Sequence, residues 1–217
     1  MAQGYVRTSD LPQVIPVFPL PGTILLPRGQ LPLNIFEPRY LNMVDDAMAG
    51  DRVIGMVQAI GPTVEQPPLM RVGCAGRVTS FAETSDGRYL VTLTGICRFR
   101  LATELQVTSP YRQVRADYSG YEADLGGPDA YEGFDREGFI NVLAPYLGRR
   151  GLDIDWDTAK AAPAEALINS LAMGLPFEPA EKQALIEALT LVQRDDVLRT
   201  LLKIDAAGDD DTSVRLQ

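Results

Sequence analysis

The residues of this 217-residue chain whose types could do chemistry are three lysines, a few adjacent carboxylates and a run of arginines; it has no histidine at all. Without an imidazole the commonest general base, the Ser/His and Cys/His nucleophile systems and the commonest zinc ligand are missing. A serine–lysine dyad would need Lys160, Lys182 or Lys203 to be desolvated, because an ammonium in water holds its proton. All three fall at helical positions that read as exposed. Neither a G-x-x-x-x-G-K-S/T loop nor G-x-G-x-x-G occurs, so no phosphate-cradling motif is present. Gly73 and Gly76, around Cys74-Ala75, sit in a strand pattern and read as a bulge or a close backbone approach.

The carboxylate pairs Asp45/Asp46, Asp153/Asp155 and Asp195/Asp196 could share a proton or a cation, but their polar settings read as solvated charge. Cys74 and Cys97 stand outside any metal-ligand spacing and read as small buried hydrophobes of a reduced, cytoplasmic protein. The expectation is a chain with no catalytic residues, no metal and no cofactor, and so not an enzyme. Arg71, Arg77, Arg88, Arg98 and Arg100 form the best basic cluster. In the strand over residues 96–101, Cys97, Phe99 and Leu101 share one face, which leaves Arg98 and Arg100 toward solvent. With 20 basic against 29 acidic residues the net charge is -9, a field that opposes polyphosphates and makes nucleic acid an unfavoured partner.

The elements that position these side chains are read from proline, glycine and hydrophobic period. Ile15-Pro-Val-Phe-Pro-Leu-Pro-Gly22 is an extended segment closing in a turn, since each proline fixes φ and removes a donor. Residues 23–26 read as a second short strand and 30–36 as a third, with Pro32 confining the latter to an edge or bulge. Pro38 suits the first position of a helix that stops at Gly50, with Leu41, Val44, Ala47 and Met48 as its core stripe. Residues 53–57 form a buried strand, and 61–69 a loop containing Pro62, Pro67 and Pro68. Residues 71–81, 88–94, 96–101 and 111–118 read as further strands, the first two joined at Asp86-Gly87.

Residues 119–129 mix glycine, proline and acid without hydrophobic period, which places a boundary there. The expected organisation is a β-domain over 1–118, a linker over 119–132, a helical bundle over 133–207 and a disordered acidic tail over 208–217. In the bundle Asp135 caps a helix carrying Phe139, Leu143, Tyr146 and Leu147, kinked at Pro145. A second helix starts near Pro163, a third runs from Pro179 with Ala184, Leu185, Ala188 and Leu189 inward, and the last covers 195–206. No repeat of solenoid period occurs. No secretory signal or membrane-spanning stretch is evident, in keeping with a cytoplasmic protein that has no membrane partner.

The stretch IPVFPLPGTILLPRGQLPLNIFEPRY over residues 15–40, followed by LNMVDDAMAGDRVIGMV, resembles the opening of the Lon protease substrate-binding domain. Leu33-Asn-Ile-Phe-Glu-Pro-Arg-Tyr40 and Phe18-Pro-Leu-Pro-Gly22 are its most specific parts. DGRYLVTLTGICRFR over 86–100, Pro110-Tyr-Arg112 and LAMGLPFEPAEKQALIE over 171–187 are similar to later parts of the domain. The resemblance covers residues 14–205. It implies an α+β protein, with an N-terminal PUA-like, mostly antiparallel β-barrel carrying one helix, then an α-helical bundle. It also implies kinship with stand-alone bacterial proteins of this type, which lack the ATPase and peptidase domains.

Two functional classes follow. The first is a non-catalytic module that binds unfolded or partly folded polypeptide, an adaptor or accessory in protein quality control with a protease or chaperone as partner. Its expected contact residues are Phe36, Arg39, Tyr40 and Met43, with Met48 and Met56 adding adaptable apolar surface. At the strand-to-helix junction Glu37 and Arg39 are also expected to form an ion pair. The second class is an RNA-binding PUA-like protein, which would use Arg71, Arg77, Arg88, Arg98 and Arg100.

Overall fold

The computed structural model describes residues 4–61 and 66–208. Pro62 of the proline-rich loop and the acidic run Asp209-Asp210-Asp211 lie outside the described residues. Among the described residues six strands and six helices make an α+β fold: β1 (Val14–Pro19), β2 (Gln30–Ile35), α1 (Pro38–Ala49), β3 (Val53–Val57), β4 (Val72–Glu83), β5 (Tyr89–Glu104), β6 (Gln113–Asp117), α2 (Arg136–Arg150), α3 (Trp156–Ala161), α4 (Ala164–Gly174), α5 (Pro179–Glu187) and α6 (Leu191–Gly208).

The sheet is mixed, in the order β2-β5-β4-β3-β1-β6, and the second half of β5 also pairs with β6. Only β1 and β3 run parallel among these pairings. A parallel pair needs a crossover, here supplied by the stretch holding β2 and α1. Residues 88–94 and 96–101, expected as two strands, are one continuous β5. Gly95 lets the strand pass close under the preceding loop, since a Cβ there would lie 2.0 Å from the Leu26 carbonyl oxygen. The ladder slips at this point, from Gly76 opposite Gly95 to Ala75 opposite Cys97, so Ile96 is the extra residue of a bulge. Residues 23–26 are not a strand. Their Ile24, Leu25 and Leu26 are buried as a plug, and the space a Cβ on Gly76 would need is taken by Leu25.

Helix α1 starts at Pro38 and ends at Gly50 as its end signals require. Its buried stripe is Tyr40, Met43, Val44 and Ala47, in place of the expected Leu41, Val44, Ala47 and Met48. Tyr40 packs edge-on against Phe18 of β1, with ring centroids 4.4 Å apart. Ile15, Val17, Met43, Ile54, Met56, Leu93 and Phe99 complete the apolar interior of the sheet. Burying one such side chain is worth about 1.5–3 kcal/mol.

The chain divides into two compact units, and the division is discontinuous. Pro176–Glu187 groups with the residues up to Pro128, whereas Asp129–Leu175 groups with the residues from Ala188 onward. Thus α5, inside the expected bundle 133–207, belongs with the sheet. Its Gln183 amide donates to the Val72 carbonyl of β4, 3.2 Å away. The Gln58 amide donates to the Pro179 carbonyl and the Gln183 side chain. In the other unit Phe139, Leu143, Tyr146, Leu147, Ile168, Leu198 and Leu202 form the core. Asp135 caps α2 and Asp155 caps the short α3, a helix with no counterpart in the expected set. Leu189, expected to face inward, is 53% exposed beyond the end of α5.

Candidate functional site

β2, the first half of β5 and the second half of β4 form a three-stranded ribbon whose free edge among the described residues is β2. The Gly95 N–H donates to the Gly29 carbonyl at 2.9 Å, and this fixes the ladder parity. Leu31, Leu33 and Ile35 bond to β5, so Pro32, which has no N–H to give, faces the unpaired edge. Alternation sends Leu31, Leu33, Ile35, Val91 and Leu93 toward one face and Pro32, Asn34, Leu90 and Thr92 toward the other.

Phe36 leaves β2 on the second of these faces, beside Leu90, which sits opposite Asn34. Both are apolar and open to solvent, Phe36 at 63% and Leu90 at 46% exposure. Arg88 borders them, its guanidinium 5.9 Å from the Phe36 ring while it pairs with Asp86. On the opposite face of the same ribbon Phe81 meets Tyr89 edge-on at 4.9 Å, and Phe81 is also exposed. The sequence alone does not mark Leu90 or Phe81 as surface contacts. Each lies in an ordinary alternating strand, and only the register of β5 against both neighbours brings them to one ribbon end.

Of the four expected contact residues, Phe36 and Arg39 reach solvent, whereas Tyr40 and Met43 are buried in the interior. Arg39 pairs with Glu37 at 2.7 Å, as the junction implied, and lies 4.6 Å over the Tyr40 ring. Tyr40 and Met43 thus support the junction from behind. Met56 is likewise core, and Met48 is half-buried.

The five arginines do not form one exposed patch, although Arg98 and Arg100 share the Tyr121 ring. Arg98, expected at the solvent side, is only 3% exposed, because residues 121–125 cover that face of β5. It makes a two-pronged ion pair with buried Asp124, Nε to Oδ2 and Nη2 to Oδ1, both 2.8 Å. Its Nη1 donates to the Ile186 carbonyl of α5, and its guanidinium stacks 4.9 Å over Tyr121. Arg100 also lies over Tyr121 and donates to the Ser119 carbonyl, while Arg77 lies over Tyr5. Arg88 lies just before the start of β5, beside Phe36, and Arg100 near the far end of that strand, over Tyr121.

Asp195 is not a solvated charge: it is buried and accepts hydrogen bonds from Arg199 and from the Tyr131 hydroxyl. Lys182 is not exposed either, at 2%, and its ammonium lies 5.8 Å over the Phe177 ring. Burial pulls the Lys182 ammonium down from 10.5 to about 8. Folding therefore favours the neutral amine. Between pH 8 and 10 the unfolded chain holds more protons at this site, so stability rises with pH, by on the order of 2 kcal/mol. Urea midpoints measured from pH 7 to 10 should show that rise, and Lys182→Met should flatten it. A slope that persists unchanged in the variant would assign it to another group.

Cys74 and Cys97 are buried thiols, and burial raises the Cys97 thiol far above its ordinary value. Among the described residues no three His, Cys, Asp or Glu side chains form a group able to hold a metal. No described helix is long and apolar enough to cross a membrane.

Comparison with known proteins places this architecture. The N-terminal domain of the Mycobacterium avium complex Lon protease superposes with a TM-score of 0.62, at 16% identity, over 88% of this chain and 98% of that one. A Lon N-terminal domain protein from Xanthomonas campestris does so at 0.57 and 24% identity, over 88% and 97%. Lon protease 2 of Myxococcus xanthus is 31% identical over 117 residues, 52% of this chain. The Lon protease of Dictyoglomus thermophilum is 25% identical over 197 residues, 90% of this chain. This chain spans 14% and 23% of the lengths of those two proteases. The profile of the ATP-dependent protease La (LON) substrate-binding domain matches residues 14–203, which take in the whole sheet and most of the helices, and the chain belongs to that family.

Proposed function

We propose that the chain is a non-catalytic polypeptide-binding module, acting in the cytoplasm as an adaptor or accessory to a protease or chaperone, and that the β2 end of its sheet is where extended polypeptide docks. The observation that carries this reading is the pair Phe36 and Leu90, two large apolar side chains held in water beside an unpaired strand edge. Exposed apolar side chains grouped on a rigid ribbon, with arginine at the rim, give what an unfolded segment offers least resistance to: apolar contact without a demand for one sequence. Arg39 stands at the rim, and Tyr40 and Met43 hold the junction rigid behind Phe36. The ring of pairings through β5, β4, β3, β1 and β6 back to β5 supports reading the sheet as the PUA-like barrel that the family resemblance implies. Lack of histidine favours binding over catalysis.

The test is fluorescence anisotropy with a labelled, permanently unfolded protein. Phe36→Ser with Leu90→Ser should weaken binding at least tenfold, about 1.4 kcal/mol or more, while the thermal midpoint falls only modestly because neither side chain is buried. Arg39→Ala should weaken it less. No saturable signal from the wild-type protein, or an affinity unmoved by the double substitution, would remove this reading.

A further inference from the structure

One edge of the six-stranded sheet carries backbone groups that nothing among the described residues takes up. Leu31, Leu33 and Ile35 bond to β5, so the N–H and C=O groups of Gln30, Pro32 and Asn34 point outward from β2. That row offers three carbonyl acceptors but only two N–H donors, because Pro32 has none. All three residues are exposed. Arg28, the nearest cation before β2, is turned away to the Asp124 and Gly126 carbonyls.

Sheet edges are usually blunted by a charge, a bulge, a proline or a covering segment. The six residues of β2, Gln-Leu-Pro-Leu-Asn-Ile, carry no charge and pair with β5 without a register shift. Pro32 alone blunts the edge, and it does so by half, since its carbonyl still faces out. Apolar side chains stand beside the edge on both faces. Phe36 and Leu90 are exposed on one, and Leu31 and Leu33 are half-buried on the other. A strand laid along β2 would therefore meet apolar groups at both of its parities, the setting in which strands read as continuous apolar runs.

Charge selects the occupant. At the rim Glu37 pairs with Arg39 and Asp86 with Arg88, so these four cancel. Glu83, exposed opposite Tyr89, is in no ion pair among the described residues, and the whole chain carries -9. A second copy would bring the same negative charge to the contact. The edge is also small for a pair of copies: roughly 20 Å by 10 Å, or about 200 Å², against about 800 Å² per partner in a stable complex. We infer that β2 takes an extended segment of a bound polypeptide as a seventh strand, held by main-chain hydrogen bonds to Gln30, Pro32 and Asn34. The segment it suits is apolar at both parities and free of acidic residues. This rests on the polypeptide-binding reading above and adds to it the mode of binding and the class of segment.

The experiment uses the full chain, ¹⁵N-labelled, with a short peptide of valine, isoleucine and threonine closed by a lysine at each end. Hydrogen exchange should be fast at the Gln30 and Asn34 amides of the free protein and slow once the peptide is bound, while Leu31, Leu33 and Ile35 are slow in both. A counterpart peptide with proline at every second residue should not bind. Pro32→Ala supplies the missing outward donor and should tighten binding about two- to tenfold, the net effect of one added hydrogen bond. Apolar contact alone predicts no gain, since the substitution removes apolar surface. Asn34→Pro removes an outward donor without touching the β5 ladder and should weaken binding by a similar factor, with the thermal midpoint as the check on folding.

Strand addition is overturned if the peptide does not bind, if Gln30 and Asn34 still exchange freely in the complex, or if Pro32→Ala leaves affinity unchanged or lower. Protection of the same amides in a concentration-dependent dimer without peptide would give the edge to a second copy and overturn it too. Each of these can occur while Phe36 and Leu90 still govern binding of the unfolded protein. Failure of the unfolded protein to bind at all is what removes the broader reading, so the two are told apart.

Discussion

Replacing Asp124 with alanine is expected to cost about 3–5 kcal/mol of folding stability, read as the urea midpoint, because it strands the Arg98 charge in the interior. Both side chains are almost wholly buried, and the carboxylate takes three donors from Arg98: Nε, Nη2 and the backbone N–H, the last at 2.9 Å. The Asp124 carbonyl in turn accepts from Arg28 at 2.6 Å. The loss of the carboxylate leaves a buried guanidinium without its counter-ion, still donating to the Ile186 carbonyl at 3.2 Å. Removing the charge together with its partner should hurt much less. In a cycle of Arg98→Met, Asp124→Asn and both, the pair should be less destabilised than the sum of the singles by at least about 2 kcal/mol, with the introduced amide oxygen still accepting the residue 98 N–H. Additive losses would show that the two residues contribute independently and would sink the idea of a coupled buried pair.

The second large effect is Gly95→Ala, expected to destabilise by about 3 kcal/mol or more. A methyl group at this position would meet the Leu26 carbonyl oxygen at 2.0 Å, its carbon at 2.7 Å and the Pro27 Cα at 3.2 Å. All three are backbone atoms, so no rotamer change relieves the clash. Either the 23–28 loop lifts off the sheet or β5 shifts, and β5 is already bonded to β2 and β4 at that level. Gly148 in α2 is the matched control, because its Cβ would enter open space. Gly148→Ala should instead be neutral or stabilise by up to ~1 kcal/mol, from helix propensity. Equal midpoints for the two variants would mean that the approach of the loop to Gly95 is not a fixed feature of the fold.

Helix α1 was legible because its signals are local: proline at the first position, glycine at the stop and apolar residues at helical spacing. The junction pair Glu37 and Arg39 was legible for the same reason. What could not be read was whatever depends on which distant segment covers a face. Arg98 sits in an alternating strand and would face water if residues 121–125 and α5 did not lie over it. Lys182 has the sequence setting of an exposed helical lysine, and its burial follows from α5 joining the sheet, which no periodicity encodes. Residues 23–26 look like a strand because strand and plug draw on the same apolar residues, and only the absence of a pairing partner separates them. In the candidate site Phe36 and Arg39 came from the junction motif. Leu90 required the pairing of Asn34 with Leu90, a contact between segments more than fifty residues apart.

The grouping of Pro176–Glu187 with the sheet separates what is inherited together from what folds together. A stretch of coding sequence ending at Pro128 would carry all six strands yet lack the Gln183 that bonds Gln58 and the Val72 carbonyl, and the Ile186 carbonyl that takes Arg98. A recombination event that copies the sheet as one continuous piece therefore transmits an incomplete object, with polar groups left open along β4 and β5. Expressed without Pro176–Glu187, the sheet would therefore lack these partners, although its strands were all present.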